Sequence, residues 1–430
     1  MRSGFCRPAC RLSAIVLAAV CAGVAAAQGA ADVPALIQRV TTRTPFPRGL
    51  AFVDGELHVL CRGRVRSAGG VSAAVDDQAG TIYRVDTDLS EPLDGPPSEA
   101  IRGNGVVVVV PTSPPFRLWD RSATPPESDE LTDRPYCTLR YHEPTRSLYV
   151  CAFSGIDLTY TPADPVAFSK NRSDAVLRYD LRTGRWSDIE RHDPADGDRY
   201  PGRDVSATAP PHGLLNGPDN CLTVGNGLFA VAKENSLLVR YDLTPLLDDP
   251  EAGPPRGEIV CGSRIHVEGL GVQTFTGQSA LAERDGWLYV AYRTSSVILR
   301  LRLDDNGRPL TPLEAQLVAR FDPFDAETRT SADITDMTFD DAGRLYVVCA
   351  KPSRVHRFTP DPTAIYDGRR GASRPWVDMS VATGNPAMKS ENVLYHDGWL
   401  YVTSGDGYTY QHGAAGTVYR VQVVDGAPTP

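Results

Sequence analysis

The chain has 430 residues, with 44 Lys+Arg against 53 Asp+Glu, 38 Gly, 35 Pro and 23% charged residues. This composition is that of a loop-rich globular protein; it excludes disordered and coiled-coil classes, and the acidic balance argues against nucleic acid as a partner. Residues 1–27 read as a secretory signal: Arg2, Arg7 and Arg11 form the positive end, residues 12–24 the apolar stretch, and Ala25, Ala26 and Ala27 the cleavage site. The expected product starts at Gln28, carries 41 basic against 53 acidic side chains, and is exported to the periplasm or the cell exterior. Val20 stands where a lipid anchor on Cys21 needs a small residue. No later segment approaches the roughly 20 apolar residues of a membrane span.

In chain order, one pattern recurs six times: a strand, a tight turn and a second strand. The copies are residues 50–59, 139–150, 222–230, 281–290, 337–347 and 393–402, and Asp-Gly or Asn-Gly marks several of the turns. β-Branched and aromatic residues on either side of such dipeptides predict hairpins. A third strand follows each hairpin and carries an arginine before an apolar residue: Arg84, Arg178, Arg240, Arg300, Arg357 and Arg420. The simplest role for these arginines is an outward position whose stem covers apolar surface. Residues 185–190 are a candidate fourth strand.

Tandem four-stranded antiparallel units with almost no helical periodicity predict an all-β fold, a six-bladed β-propeller, because radial packing covers both faces of each sheet. Residues 106–110 read as the fourth strand of blade one, followed by a long loop; a degenerate seventh blade in that stretch is the alternative. The last blade lacks a fourth strand, and residues 34–42 supply one, which closes the ring and removes exposed edges. Residues 28–430 are therefore expected to be a single domain, and a monomer. The repeat architecture resembles the NHL-repeat and gluconolactonase-like (TolB-like) group of six-bladed propellers over residues 34–424.

Six cysteines lie beyond the signal: Cys61, Cys137, Cys151, Cys221, Cys261 and Cys349. Two readings stay open. An oxidising compartment permits up to three disulfides, with Cys137 and Cys151 as the local pair, or the thiols are buried small apolar groups.

Connection lengths sort by face. First-to-second turns are short, whereas the long segments 62–80, 111–136, 153–174, 191–220 and 404–416 all belong to the opposite face. Long ordered loops on a rigid scaffold are where binding groups concentrate. The side chains expected at the channel mouth there precede the apolar triplets of the inner strands: Arg48-Gly49, Cys137-Thr138, Asn220-Cys221, Ser279-Ala280, Thr335-Asp336 and Glu391-Asn392, with Tyr136, Asp219 and Gln278 just upstream. Arg62, Lys233, Glu234, Arg293, Lys351 and Asp406 leave the second strands at the same face.

Three function classes follow. Arg48, Arg62, Lys233, Arg293 and Lys351 form a basic collar suited to a carboxylate or sulfate, and Tyr136, Asp219 and Gln278 complete a polar mouth, so the first expectation is binding of a small polar or anionic, carbohydrate-derived ligand or glycan. In the second class, Asn220, Asp336, Glu391 and Asn392 offer the hard oxygens that calcium or another divalent cation requires. The resemblance to gluconolactonase-like propellers implies Glu391, Asn220 and Asp336 as a metal set that polarises an ester carbonyl, with Asp336 or Asp219 as base. Tyr136, Tyr408 or Tyr410 beside His212 or His412 would instead supply the proton-transfer pair of a polysaccharide lyase. The third class is a non-catalytic protein-interaction scaffold, for which the Pro-rich segment 111–135 is the candidate arm.

Overall fold

The computed structural model describes residues 36–61, 65–68, 71–74, 81–87, 107–110, 116–120, 127–133, 136–153, 174–191, 214–323, 332–405 and 416–424, apart from positions 45–46, 86, 216, 234, 351 and 387 within those runs. The signal reading of residues 1–27 lies outside them.

Among the described residues the chain builds six blades of antiparallel strands arranged as a propeller, beside two small two-stranded sheets. Blade one runs Pro47–Val53, Glu56–Cys61, Thr81–Val85 and Val107–Val110, and blade two Tyr136–His142, Ser147–Phe153, Asp174–Asp180 and Arg185–Arg191. Blade three is Pro218–Val224, Gly227–Ala232, Leu237–Asp242 and Gly257–Cys261. Blade four, Gln278–Arg284, Trp287–Tyr292, Val297–Arg302 and Ala315–Arg320, is the core of a larger sheet, whose outer edge is extended by Arg264–Val267 and Tyr366–Asp367. Blade five is Ile334–Phe339, Leu345–Ala350, Ser353–Phe358 and the short Val377–Asp378. Blade six joins Ser390–His396, Trp399–Ser404 and Gly416–Gln422 to Ile37–Thr44 from the start of the chain, the expected closure. Residues 116–120 and 127–133 form a separate hairpin, so the stretch before blade two holds no seventh blade among the described residues.

The first strands of the blades touch in the order one to six and back to one, and so form the inner wall of the ring. Six apolar clusters fill the six gaps between neighbouring blades. Leu57, Leu148, Leu228, Leu288, Leu345 and Leu400, one per second strand, are each fully buried. The repeat is therefore a packing repeat: each blade contributes the same apolar anchor to its neighbours. In the hairpin turns Asp54-Gly55, Asp285-Gly286 and Asp397-Gly398, both residues have positive φ, the geometry that matches strand twist in a two-residue turn. In blade three the strand pairing puts the turn at Gly225-Asn226, one residue ahead of the Asn-Gly dipeptide, with Gly227 already in the second strand.

All six cysteines are free and buried, including Cys137 and Cys151. Cys137, Cys151 and Cys221 share the apolar cluster between blades two and three, and burial, then Cys221, raises the Cys151 thiol well above its ordinary value. Among the described residues no helix is long and apolar enough to cross a membrane.

The strands at the ends of the five long segments make these second-to-third or fourth-to-first connections, whose described ends lie on one face. The opposite face is less plain than expected. Third-to-fourth connections at 86–106, 243–256 and 359–376 are also long; the second contains the five-residue helix Thr244–Asp248 and the third sends Tyr366–Asp367 to pair with blade four.

Candidate functional site at the axial mouth

Each inner strand breaks register once, always near its loop-face end: between Pro47 and Gly49, Tyr136 and Thr138, Pro218 and Asn220, Gln278 and Ala280, Ile334 and Asp336, and Ser390 and Val393. A bulge adds an unpaired residue and bends the strand. The extra residues are Arg48, Cys137, Asp219, Ser279, Thr335 and, in blade six, Glu391. The next position inward forms a ring of Gly49, Thr138, Asn220, Ala280, Asp336 and Asn392. Blade three was expected to contribute Asn220-Cys221, but the pairing of Asn220 with Val231 makes Asp219-Asn220 the equivalent pair. Cys221 occupies the core position held elsewhere by Leu50, Leu139 or Leu281. The ring is tight at Gly49, where a Cβ would lie 2.5 Å from the Leu139 amide nitrogen.

One level deeper, Arg140 closes the ring. Its guanidinium donates to Asn392 Oδ1 at 3.3 Å, Asn220 Oδ1 at 3.2 Å, and Asp336 Oδ1 and Oδ2 at 3.0 and 3.2 Å. Asn220 Nδ2 donates to Asp336 Oδ1 at 2.8 Å and the Val393 amide to Asp336 Oδ2 at 3.1 Å. Blades two, three, five and six thus meet at one buried ion pair. Of the hard oxygens expected for a metal, those of Asn220, Asp336 and Asn392 are turned toward this guanidinium, which a divalent ion there would have to displace from Asp336, and those of Glu391 are engaged elsewhere. Among the described residues no group of three or more His, Cys, Asp and Glu has a metal-holding arrangement.

Above the ring lies a second charged group. Glu391, 4% exposed, is gripped by Arg48 on one oxygen and by Lys389 Nζ at 2.5 Å on the other. Burial alone would raise its pKa, but Arg48 and Lys389, with Arg293 behind them, outweigh it and hold the carboxyl at about 2. Arg293 of blade four pairs with Asp333 of blade five. Counting Arg140 and Asp336, four cations and three carboxylates among the described residues meet here. The Thr138 hydroxyl, fully buried in the ring, has no hydrogen-bond partner among the described residues.

Of the expected residues, the structure joins Arg48, Arg293 and Glu391 in this group, and Asn220, Asp336 and Asn392 in the ring below. Asp219 is half-buried at the bulge. Gln278 instead donates to the Tyr292 hydroxyl at 3.2 Å beside Cys261, in the packing between blades three and four. Lys233 is half-buried, its amide bound to Gly217 O, and Tyr136 is placed by its backbone, opposite Ala152. Arg62, Glu234, Lys351, Asp406, Tyr408, Tyr410, His212 and His412 lie outside the described residues.

Sequence reasoning missed Arg140, Asp333 and Lys389. Arg140 had a signal: its column across the six inner strands otherwise reads Ala51, Leu222, Ala282, Thr338 and Leu394, so one charge stands among apolar and small residues.

No family model matches the chain, and no curated protein matches it. Solved structures do. An aldose sugar dehydrogenase from Streptomyces coelicolor, in its PQQ-bound form, aligns at 12% identity over 91% of this chain and 99% of its own, with a TM-score of 0.46. A gluconolactonase from Xanthomonas campestris aligns at 11% over 91% and 90%, with a TM-score of 0.43. Regucalcin, a calcium-binding protein from Agrobacterium tumefaciens, aligns at 10% over 92% and 97%, with a TM-score of 0.45.

Proposed function

We propose that the protein, after export, acts as a monomer that binds a small anionic, carbohydrate-derived ligand at the axial mouth of its loop-rich face. The observation that supports this is the meeting of Arg48 and Lys389 on the single carboxylate Glu391, with Arg293 behind them on Asp333. Glu391 holds Arg48 and Lys389 in place, and Asp333 holds Arg293 beside them. A preorganised cationic group at the end of a channel raises the local concentration of anions and suits a carboxylate. Arg140 and Asp336 form the floor.

The reading is tested by calorimetric titration of the purified protein with D-glucuronate, with D-glucose as the neutral control. Glucuronate should bind at least tenfold more tightly than glucose, and Arg48→Gln or Arg293→Gln should abolish the difference. Equal binding of the two sugars, or variants that bind as the parent does, would refute it. Elemental analysis tests the metal-dependent hydrolase directly: a stoichiometric divalent ion lost on Glu391→Ala would replace the collar reading.

A further inference from the structure

The third-strand arginines recur in every blade, and comparing them isolates one. In five blades the chain supplies a partner. Arg84 pairs with Glu56 at 3.2 Å, and Arg178 donates to Ser147 Oγ at 2.9 Å and pairs with Asp180. Arg300 lies 4.3 Å over the Trp287 ring and donates to Gln316. Arg357 lies over Trp376 and donates to Val424 O, and Arg420 lies 4.5 Å over Trp399 and donates to Gln38. In four of these blades the partner comes from one diagonal position, two residues before the arginine's cross-strand neighbour: Glu56, Ser147, Trp287 and Trp399.

In blade three that position is Gly227. Arg240 is 4% exposed, and its guanidinium lies across the glycine, where an added Cβ would stand 2.9 Å from Nε. Nε is buried with no hydrogen-bond partner. Glu258, directly opposite on the fourth strand, is exposed and makes no hydrogen bond to it among the described residues. The guanidinium instead lines a cavity of about 840 Å³ between blades three and four, on the face opposite the loop-rich mouth. Its walls are the turn 224–226, Asp242, the turn 283–286 and residues 302–308.

We propose that this cavity is a second binding site, for a small monocarboxylate that carries hydroxyl groups, with Arg240 as its anchor. A buried guanidinium nitrogen left without an acceptor is costly, and a carboxylate matches the fork in two parallel hydrogen bonds. Arg308, paired with Asp242, supplies a second cation across the cavity; burial, then Arg308, depresses the pKa of Arg240 against the pull of Asp242, Glu258 and Asp304. The lining also fixes the ligand's charge. Arg240, Arg302 and Arg308 face Asp242, Glu283, Asp285, Asp304 and Asp305, an acidic excess that disfavours dianions and phosphate esters. Four of these carboxylates are committed: Asp242 accepts from Thr244 and pairs with Arg308, Glu283 accepts from the Gly286 amide, Asp285 from Arg284, and Asp304 from the amides of Asn306 and Arg308. Asp305 is exposed at the lip and suited to accept from hydroxyl donors.

The test is titration with D-gluconate, with D-glucose as the control lacking the carboxylate, on the full chain and on Arg240→Met, Gly227→Ser and Gly227→Trp. The glycine variants restore the partners seen in blades two, four and six, so each should occupy Arg240 from within. Gluconate should bind with glucose at least tenfold weaker. All three variants should weaken gluconate at least tenfold, and the glycine variants should not lower the thermal midpoint. Absence of saturable gluconate binding, glucose binding equal to gluconate, or unchanged affinity in both Arg240→Met and Gly227→Trp would each overturn the assignment. Because Arg48 and Arg293 lie on the other face, the collar reading fails or holds independently of these results.

Discussion

Arg140 and Arg240 are both buried cations on strands of a common repeat, yet they end in opposite states. Arg140 meets Asp336, Asn220 and Asn392, drawn from three other blades, and its charge is spent on holding the ring together. Arg240 meets a glycine where its counterparts meet a carboxylate, a hydroxyl or an indole. A buried arginine is architecture when the chain supplies its acceptors, and a receptor when the position that should supply them is vacant. The distinction separates the floor of the axial mouth from the cavity on the far face, and it can be measured as stability.

The largest effect should come from breaking the floor. Asp336→Ala leaves Arg140 buried without its carboxylate and should cost about 3–5 kcal/mol in urea unfolding. Pairing it with Arg140→Met should recover most of that loss, because an apolar pair in place of a buried ion pair is often close to neutral. A double variant no more stable than Asp336→Ala would mean that the aspartate supports the ring through the Val393 amide and Asn220 rather than through the guanidinium.

Next in size is an acid-dependent term at the mouth. Glu391 is held at about 2, against an ordinary value near 4.5. A carboxyl with a depressed folded pKa contributes stability that is complete above its unfolded value and is lost as pH falls through the folded one. The window is therefore about pH 4.5 down to about 2, and the integrated contribution is about 3 kcal/mol. In Glu391→Gln the unfolding free energy should fall less steeply across that window than in the parent, although its value at pH 7 is lower because Arg48 and Lys389 have lost their anion. Parallel curves for the two proteins would show that Glu391 is not the titrating group.

Much of this architecture could be read from the residues, and what could not has a common cause. Hairpins are short-range patterns, fixed by Asp-Gly turns and alternating apolar residues, and they emerged intact, as did the ring closure read from the missing last strand; the third-strand arginines recur, but Arg178, Arg240 and Arg300 are buried rather than outward. The register of blade three slipped by one because Cys221 stands in a core position that leucine fills in three other blades, and Leu222 beside it completed the apolar triplet. The pairing of Arg140 with Asp336 spans 196 residues and depends on where six bulges point, so the sequence showed two isolated charges and no reason to join them. Gly227 was quieter still. A missing side chain carries no signal until its equivalents are known to cap an arginine.

That equivalence yields the two smallest effects, best measured as a pair. Arg178→Met in blade two removes a guanidinium that bonds Ser147, Asp180 and Pro250 O, and it should cost about 2 kcal/mol; Asp180 keeps Arg182 and the amides of Arg182 and Thr183, which holds the loss below that of an orphaned buried charge. Arg240→Met, the same change at the same blade position, removes a cation with no bonded partner and replaces it with an apolar chain of similar reach over Gly227. Its unfolding free energy should change by less than about 0.5 kcal/mol, or rise, since no acceptor is orphaned and a desolvated charge is removed. A loss as large as that of Arg178→Met would show that Asp242, Glu258 and Asp304 already neutralise Arg240 through space. The vacancy at Gly227 would then be a packing accommodation, and the contrast between the two arginines would collapse.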